Sequence, residues 1–573
     1  MKSILAAECG STTTIAALIE QVGDEYRLQA TGQTPSTYGP PWHDITIGVR
    51  QAIRHIEKNV GRTLLTSAGW PITPQNQANQ GVDGFTVVCS AGSPLRVVIA
   101  GLMKDISLTS AQRAAATTYS HVTNLISLDA SDGGHHTPEA RIQAIKEGRP
   151  DIILLVGGTD GGATQPVLEM ARVISMGLYI LGSNPIPAVV YAGNQDLRPD
   201  MADILGHITA LTSVPNVHPL LDVDDPAATQ AELEKLYIQK KMMQLPGFDK
   251  LNNWSTQYPV IPASKSFEKL ISFLGQYHQL NAVGVNVGSR STTIATKTPD
   301  NSSRLYIRSD AGVGHSLADL LKAVPIEKFH RWLPFEMTLD ELYNRLLNKS
   351  LYPTSLPTSL EDLMIEHAVA REAMRLVAHQ TRSQQPDTQW NLIIGAGRTL
   401  TGSPHAAQAA LLLIDGLEPW GVTSLVLDRN GLVDMLGAIA VLDPTAAVKA
   451  ATHDAFLNLG TVVAPRGHAR NGQTAVKVKV VYDSEETYET EVAYNTLEII
   501  SLPPGQKAQL EIRPTRQFNI GGQSGRAAKT EVEGGLLGII VDARGRPLRF
   551  PADEEQRQEQ LQHWLETLQL YSS

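Results

Sequence analysis

The chain has 573 residues, of which 42% are hydrophobic and 18% are charged, and its formal net charge is −10 at pH 7. This length exceeds what a single hydrophobic core organises, so two to four domains are expected. The excess of acidic residues argues against a nucleic-acid-binding or anionic-membrane surface, because both require clustered lysine and arginine.

Cysteine content and hydropathy predict the compartment. The sequence has two cysteines, Cys9 and Cys89, which argues against a disulfide framework or a cysteine zinc site and favours a reducing cytosol. The N-terminal run "SILAA" is too short for the apolar region of a signal peptide, and no apolar run reaches the length that spans a bilayer. We therefore expect a cytoplasmic protein that binds neither nucleic acid nor membrane.

The N-terminal part of the chain alternates predicted strands and helices, as α/β domains do. The run "KSILAAECG" ends at Gly10 and is followed by serine, threonine and a second β-prone run, which predicts a strand, a tight turn and a returning strand. A helix is predicted next, with Ile53 and Ile56 on one face and Gly61 as its stop. Thr137 and Pro138 suit the N-cap and first position of another helix. "DIILLVGGTDGG" then predicts a buried strand that ends in a glycine-rich turn.

A polar, helical segment connects this part to a second α/β half that opens at Asn281. In that half "WNLIIGAGRTLTGSP" predicts a buried strand, a Gly-Ala-Gly turn and the start of a helix. From about Thr461 strict alternation, as in "VKVKVVY", predicts a small β barrel or sandwich. The predicted domains are therefore a first half at 1–224, a helical connecting segment at 225–280, a second half at 281–460, and a C-terminal β domain with a terminal helix at 461–573.

One short phrase occurs twice. Residues 6–16 are "AAECGSTTTIA" and residues 285–295 are "VNVGSRSTTIA". Gly10 aligns with Gly288, and the Thr-Thr-Ile-Ala runs align if Arg290 is an insertion in the second copy. Such internal similarity is typical of a duplicated fold. Two strand–turn–strand units of this kind can face each other across a cleft and direct backbone N–H groups and hydroxyls at one phosphate chain.

The predicted nucleotide-binding residues come from these two phrases, from the glycine turn after the strand near residue 155, and from a third glycine turn that suits adenosine packing on bare backbone. They are Gly10, Ser11, Thr12, Thr13, Gly158, Thr159, Gly288, Ser289, Arg290, Ser291, Gly395, Ala396 and Gly397.

Each of these features also has a purely structural interpretation. Clusters of glycine, serine and threonine are common in hairpin turns, and Gly395 and Gly397 suit close helix–strand packing equally well. Asp160, a candidate carboxylate beside the phosphates, also suits a turn aspartate that accepts hydrogen bonds from its own backbone. His135 and His136 are adjacent and have no partner at metal-ligand spacing, so a solvated loop is expected there.

Six motifs in order along the chain resemble the glutamate mutase L family, accessory proteins associated with adenosylcobalamin-dependent mutases. The motifs are "GSTTT" at 10–14, "PDIILLVGGTDGG" at 150–162, "VVYAGN" at 189–194, "NVGSRSTT" at 286–293, "IIGAGRTLTGSP" at 393–404 and "GIIVDARGRPL" at 538–548. That family is similar to the actin-like, Hsp70-like and sugar-kinase ATPases. The resemblance implies an α/β fold with two duplicated actin-like (ribonuclease H-like) halves flanking a nucleotide cleft, plus a C-terminal all-β domain.

The resemblance also implies a function. ATP or ADP with Mg²⁺ would be the cofactors, mutase subunits would be the protein partner, and the task would be chaperone-like reactivation or assembly of that mutase. Actin-like ATPases usually begin both phosphate phrases with aspartate, whereas this sequence has Glu8 and Asn286. We expect Glu8 and Asn286 at the metal, Glu8 and Asp160 as catalytic residues, Arg290 as extra positive charge, and feeble or absent hydrolysis because one acid is lost.

Two other functions are compatible with the sequence. A kinase-like enzyme would phosphorylate a small metabolite in the cleft and would need a base, for which Asp160 and Glu372 are candidates. A nucleotide-locked scaffold would bind nucleotide without turnover.

Overall fold

The computed structural model describes residues 1–129, 137–182, 185–300 and 302–570. The predicted solvated loop at His135 and His136 lies outside these residues. Strands and helices alternate over most of the chain, so the predicted α/β class is confirmed. In the described residues no helix has the length and apolar character needed to cross a membrane.

The first half is built on a five-stranded sheet in the order β10-β4-β1-β2-β3. Strands β1, β2 and β3 are antiparallel neighbours, and β1 is parallel to β4. Helix α1 packs on this sheet, begins after the N-cap Asp44 and ends at Gly61, the predicted stop. The elements are β1 (Ser3–Cys9), β2 (Thr13–Val22), β3 (Glu25–Pro35), α1 (Ile45–Val60), β4 (Gly84–Cys89) and β10 (Ile261–Pro262).

A second sheet is inserted between β4 and β10, which the sequence did not distinguish from the first. It is entirely parallel, in the order β6-β5-β7-β8-β9, and parallel neighbours require crossover connections such as helices. Thr137 caps α3 through its hydroxyl, as predicted. The strands are β5 (Leu95–Ala100), β6 (Ser120–Ile126), β7 (Ile152–Leu155), β8 (Ala188–Tyr191) and β9 (Leu211–Ser213), and the helices are α2 (Thr109–Ala115), α3 (Pro138–Gly148), α4 (Gln165–Leu181) and α5 (Arg198–Leu205).

The second half repeats the strand order of the first. Strands β11, β12 and β13 are antiparallel neighbours, β11 is parallel to β14, and β14 is parallel to β15. The same sequence of pairings joins β1, β2, β3, β4 and β10, so one topology occurs twice, as a duplicated fold predicts. The strands are β11 (Ala282–Val287), β12 (Thr292–Lys297), β13 (Ser303–Arg308), β14 (Leu392–Ala396) and β15 (Gly421–Asp428).

The C-terminal region is rich in β structure, but part of it completes the sheet of the second half. Strand β16 crosses the predicted boundary at residue 460 and pairs with β15, and β24 and β20 extend that sheet to eight strands. Four other strands form a separate antiparallel sheet in the order β19-β18-β21-β23. The elements are β16 (Phe456–Ala464), β17 (Arg466–Gly467), β18 (Thr474–Tyr482), β19 (Thr487–Ala493), β20 (Leu497–Ile500), β21 (Lys507–Pro514), β22 (Phe518–Asn519), β23 (Ala528–Glu533), β24 (Ile539–Asp542) and α17 (Glu554–Thr567).

Helix α8 of the connecting segment follows β10 of the first half and packs mainly on the second half. It packs on α15 and on β12, and a Cβ on Gly437 of α15 would lie 1.9 Å from the Ser266 carbonyl oxygen of α8, so only glycine permits this crossing. The remaining helices are α6 (Ala227–Lys240), α7 (Phe248–Trp254), α8 (Ala263–Tyr277), α9 (Leu317–Ala323), α10 (Ile326–His330), α11 (Leu339–Leu351), α12 (Leu360–Gln384), α13 (Arg398–Thr401), α14 (Ala406–Leu417), α15 (Val433–Leu442) and α16 (Pro444–Ala450).

Candidate functional site

A cleft of about 1050 Å³ lies between the two halves, and both copies of the repeated phrase line it. This volume is at the upper end of the range for small-molecule sites. Most of the predicted site residues line the cleft, and they come from the two turns, their flanking strands and the end of β14. They are Glu8, Gly10, Ser11, Thr12, Thr13, Asn286, Gly288, Ser289, Arg290, Ser291, Ala396 and Gly397.

The two turns have the same length and the same closing hydrogen bond. The Gly10 N–H donates to the Thr13 carbonyl over 3.0 Å, and the Gly288 N–H donates to the Ser291 carbonyl over 2.9 Å. The predicted insertion of Arg290 is therefore wrong, because Arg290 stands where the first turn has Thr12. The similar Thr-Thr-Ile-Ala runs are out of register by one residue, and a shift of one reverses which face of the sheet each side chain occupies.

Free backbone donors are exposed at the tips of both turns. Within the described residues, the N–H groups of Ser11, Thr12, Ser289 and Arg290 donate to no protein acceptor. Consecutive free N–H groups in a turn form a concavity that binds anions. Each half therefore contributes one such pair of donors on a turn that lines the same cleft.

The hydroxyls of the two turns have different partners. Ser11 Oγ donates to the Ser90 carbonyl over 3.3 Å. Ser289 Oγ lies 2.8 Å from His315 Nδ1 and accepts a hydrogen bond from the His315 backbone N–H over 3.1 Å. Burial, aided by the charge of Arg290, lowers the pKa of His315 to about 4, so this imidazole is neutral at physiological pH.

Three carboxylates form the floor of the cleft. Asp428 and Asp434 are buried, Glu8 is partly buried, and all three line the cleft. Burial raises the pKa of Glu8 to about 7, a hydrogen bond from Ser90 opposes the rise, and the charge of Asp428 adds to it. Burial likewise raises the pKa of Asp428 to about 6 against hydrogen bonds from the backbone of Val433 and Leu432.

Asp434 connects this floor to the second phosphate phrase. Asn286 Nδ2 donates to Asp434 Oδ2 over 2.8 Å. The pKa of Asp434 is raised by burial and by the charges of Glu8 and Asp428. Neither Asp428 nor Asp434 was among the residues predicted from the sequence, although Asp428 ends a strand and Asp434 lies in the first turn of the following helix.

The end of β14 requires glycine at one position. Gly397 has a φ of +95°, and a Cβ there would lie 2.2 Å from the Val287 carbonyl oxygen. Gly395 does not line the cleft, and a Cβ there would meet Leu413 and Leu427 at 3.0–3.2 Å. Gly395 therefore serves packing, whereas Gly397 lets the backbone border the cleft.

The glycine turn after β7 lies outside the cleft, which corrects the prediction for Gly158, Thr159 and Asp160. None of the three lines the cleft. Asp160 Oδ1 accepts hydrogen bonds from the Gln195 N–H and from Asn216 Nδ2, each over 3.0 Å. A strand followed by a glycine turn occurs in both sheets of the first half, and sequence does not reveal which sheet a strand joins.

Glu372, the other candidate base, is also remote from the cleft. It is buried on α12 and accepts hydrogen bonds from Arg331 Nη2 over 2.5 Å and Trp332 Nε1 over 2.7 Å. Neither Glu372 nor either of its partners lines the cleft. The Glu372 carboxylate therefore serves the packing of buried side chains and not the cleft.

Arginines border the cleft without acidic partners. Arg290, Arg398 and Arg429 line it, and no carboxylate of the described chain forms an ion pair with any of them. Lys349, which also lines the cleft, pairs with Glu366 over 3.0 Å. In a protein of net charge −10, three unpaired arginines around one cavity favour an anionic ligand.

Sequence comparison finds two matches. The family model described as MutL protein matches residues 4–455. The curated relative Protein MutL of Clostridium tetanomorphum is 27% identical over 152 residues, which are 26% of this chain and 30% of that protein. The chain therefore aligns with less than a third of that relative's length.

Solved structures align at low similarity. A diol dehydratase-reactivating factor in nucleotide-free form aligns with a TM-score of 0.30 and 8% identity, over 77% of this chain and 100% of that one. A glycerol dehydratase reactivase gives 0.30 and 9% over the same shares. Component A of the Acidaminococcus fermentans (R)-2-hydroxyglutaryl-CoA dehydratase gives 0.27 and 8%, over 78% and 100%.

Proposed function

Since this chain belongs to the MutL protein family, the glutamate mutase L family that its motifs resemble, we propose that it is an actin-like, nucleotide-binding accessory protein of an adenosylcobalamin-dependent mutase. In this proposal ATP or ADP occupies the cleft between the halves, and the protein reactivates or assembles its partner. Nucleotide can shift the arrangement of the halves only by binding the alternative arrangements with different affinity.

One observation carries the nucleotide assignment: two equal turns, one from each half, line a single cleft, and each has a pair of N–H groups without a protein acceptor. The phosphate chain would lie between Ser11 and Thr12 on one side and Ser289 and Arg290 on the other. The nucleoside would lie against Ala396 and Gly397, where a side chain on Gly397 would collide with β11. The three unpaired arginines supply charge that suits phosphates.

The donor set of the floor fits Mg²⁺. Protein-bound Mg²⁺ usually takes one or two carboxylates together with phosphate oxygens and water, and Glu8 and Asp434 offer such carboxylates. Asn286 instead holds Asp434, and no group of three or more His, Cys, Asp or Glu in the described residues could hold a metal alone. Bound Mg²⁺ would neutralise charge on the phosphates.

Glu8 is the proposed general base for any hydrolysis. Glu8 lines the cleft, and a carboxylate positioned within hydrogen-bond reach of the attacking water can accept its proton. Asn286 has no proton-accepting carboxylate, so the second phosphate phrase contributes no base to the site. We therefore propose slow turnover.

The two bases that the sequence offered for the kinase-like alternative, Asp160 and Glu372, both lie outside the cleft, so that alternative would require one of the floor carboxylates as its base. A scaffold that binds nucleotide without turnover differs from the proposed function only in the hydrolysis step. A turnover assay with Mg²⁺ and ATP distinguishes the two.

Calorimetric titration with ATP and ADP, with and without Mg²⁺, tests the nucleotide site. Thr12→Glu places a negative charge in the first turn and should reduce ATP affinity at least a hundredfold, because like charges at a phosphate site repel. Thr159→Glu makes the same change in the turn after β7, outside the cleft, and should leave affinity unchanged. Equal effects of the two variants, or no binding by the unaltered protein, would refute the assignment.

Co-purification tests the partner. The protein should associate with a cobalamin-dependent mutase more strongly in one nucleotide state than in the other. If no cobalamin enzyme associates in either state, the chaperone role is wrong even if nucleotide binds.

A further inference from the structure

Arg290 occupies a position in the second turn from which it contacts the first half. Its Cζ lies 5.9 Å from the centre of the Tyr38 ring, a distance at which a cation and an aromatic ring attract each other. Burial raises the pKa of Tyr119 to about 12, and the charge of Arg290 opposes that rise, so the guanidinium also lies close to this phenol. Tyr38 follows β3 and Tyr119 precedes β6, and both belong to the first half.

The guanidinium of Arg290 has no counter-charge. No carboxylate of the described chain pairs with it, and its Nε is buried without a hydrogen-bond partner. Arginine stays protonated at any physiological pH, and a buried polar atom without a partner is costly. The neighbouring His315 is neutral for the reasons given above. An anion in the cleft would supply both the counter-charge and the hydrogen-bond acceptor that Arg290 lacks.

The strand register relates the turn that carries Arg290 to the proposed nucleoside position at Gly397. Asn286 of β11 pairs with Ala396 of β14, so the bordering backbone at Gly397 lies beside Val287. The turn that carries Arg290 projects beyond this point. If the phosphate chain of a nucleoside bound at Gly397 follows the end of β11, it reaches this turn.

Hydrogen bonds join the two halves directly near Tyr119. The Ile307 N–H donates to the Ala116 carbonyl over 2.6 Å, and Ser309 Oγ donates to the Ser120 carbonyl over 2.6 Å. Tyr119 lies within this junction, and both Tyr119 and Ile307 line the cleft. Arg290 thus extends from a phosphate turn toward a junction between the halves.

We propose that Arg290 contacts the terminal phosphate of a nucleoside triphosphate and, through Tyr38, links the presence of that phosphate to contact between the two halves. This inference rests on the proposed nucleotide site and adds which phosphate is distinguished and by which residue. A guanidinium offers its N–H edge to a phosphate and its face to an aromatic ring, so one group can make both contacts, and each contact restricts the position available for the other.

Separate titrations with ATP and ADP test the first part. Arg290→Gln should weaken ATP binding about ten- to a hundredfold, the net worth of hydrogen bonds to a charged group, and should weaken ADP binding much less. Arg290→Lys keeps the charge without the planar guanidinium, so its ATP affinity should lie between those of the unaltered protein and Arg290→Gln. Arg398→Gln removes an equal charge at the nucleoside end of the cleft and should weaken ATP and ADP binding by equal factors.

A double-mutant cycle on ATP affinity tests the coupling. The four proteins are the unaltered chain, Arg290→Gln, Tyr38→Leu and the double variant, and their effects should depart from additivity by more than about threefold. Equal losses of ATP and ADP affinity in Arg290→Gln would overturn the phosphate assignment, and additive effects would overturn the link to Tyr38. If the unaltered protein binds neither nucleotide, the proposed function itself has failed, which is a different result from either of these.

Discussion

Replacing Asn286 with aspartate would restore the acid that actin-like ATPases usually have at this position, yet the structure predicts that the change harms the protein. Asn286 Nδ2 donates to Asp434 Oδ2 over 2.8 Å, and Asp434 already shares the cleft floor with Glu8 and Asp428. Asn286→Asp removes the donor and places a fourth carboxyl group against Asp434. Two carboxylates in such contact cannot both ionise readily.

The expected loss follows from the proton that the added carboxyl must retain. Holding an acid neutral costs about 1.4 kcal/mol for each pH unit above its ordinary pKa of about 3.9. The free energy of unfolding should therefore fall by about 1–2 kcal/mol at pH 5 and by up to about 6 kcal/mol at pH 8. If both groups ionised, their repulsion at the 2.8 Å of the present contact would be on the order of 6 kcal/mol at an effective dielectric constant of 20. This value is similar to the largest loss expected at pH 8.

The sign of the pH dependence is fixed by the direction of the shift. The added acid has a higher pKa in the folded than in the unfolded chain, so the folded chain binds more protons and the variant loses stability as pH rises from about 4. Urea unfolding in EDTA at pH 5 and pH 8 measures the difference. The exchanged pair Asn286→Asp with Asp434→Asn restores one amide and one carboxylate and should recover most of the loss.

Two results would contradict this reasoning. The first is a loss of stability in Asn286→Asp that does not change between pH 5 and pH 8. The second is an exchanged pair as unstable as the single variant, because the Asn286–Asp434 contact would then not be the cause.

Three further predictions concern stability and turnover. Burial lowers the pKa of His367 to about 3, so the folded chain resists a proton that the unfolded chain accepts below about pH 6.5. The free energy of unfolding should therefore fall by up to about 4–5 kcal/mol on acidification toward pH 3. In urea unfolding, His367→Gln should make that fall smaller. Gly397→Ala should destabilise the chain by about 2–4 kcal/mol and weaken nucleotide binding, whereas Gly161→Ala, with a positive φ but open space around it, should cost about 1 kcal/mol. ATP turnover with Mg²⁺ should be slow, and Glu8→Gln should reduce it at least a hundredfold while ATP still binds in calorimetry; fast turnover, or turnover indifferent to Glu8, would contradict the assignment of the base.

The sequence by itself determined the features that depend on neighbours along the chain. A hairpin turn closes within four residues, so the two Gly-Ser phrases predicted strand–turn–strand units that the structure confirms at Gly10 and Gly288. Helix caps are equally local: Thr137 caps the start of one helix and Gly61 ends another, as their residue types predict. The order of the motifs along the chain was enough to indicate the family.

Tertiary structure alone decided which local units meet. The turn after β7 and the turn after β14 have similar sequences, but β7 pairs with β5 and β8 in the inserted sheet, whereas β14 pairs with β11 beside the cleft. Strand pairing joins residues far apart in sequence, and nothing within a strand–glycine turn specifies its partner. For the same reason the contact between Asn286 and Asp434, 148 positions apart, and the approach of Arg290 to Tyr38 became visible only when the two halves were folded together.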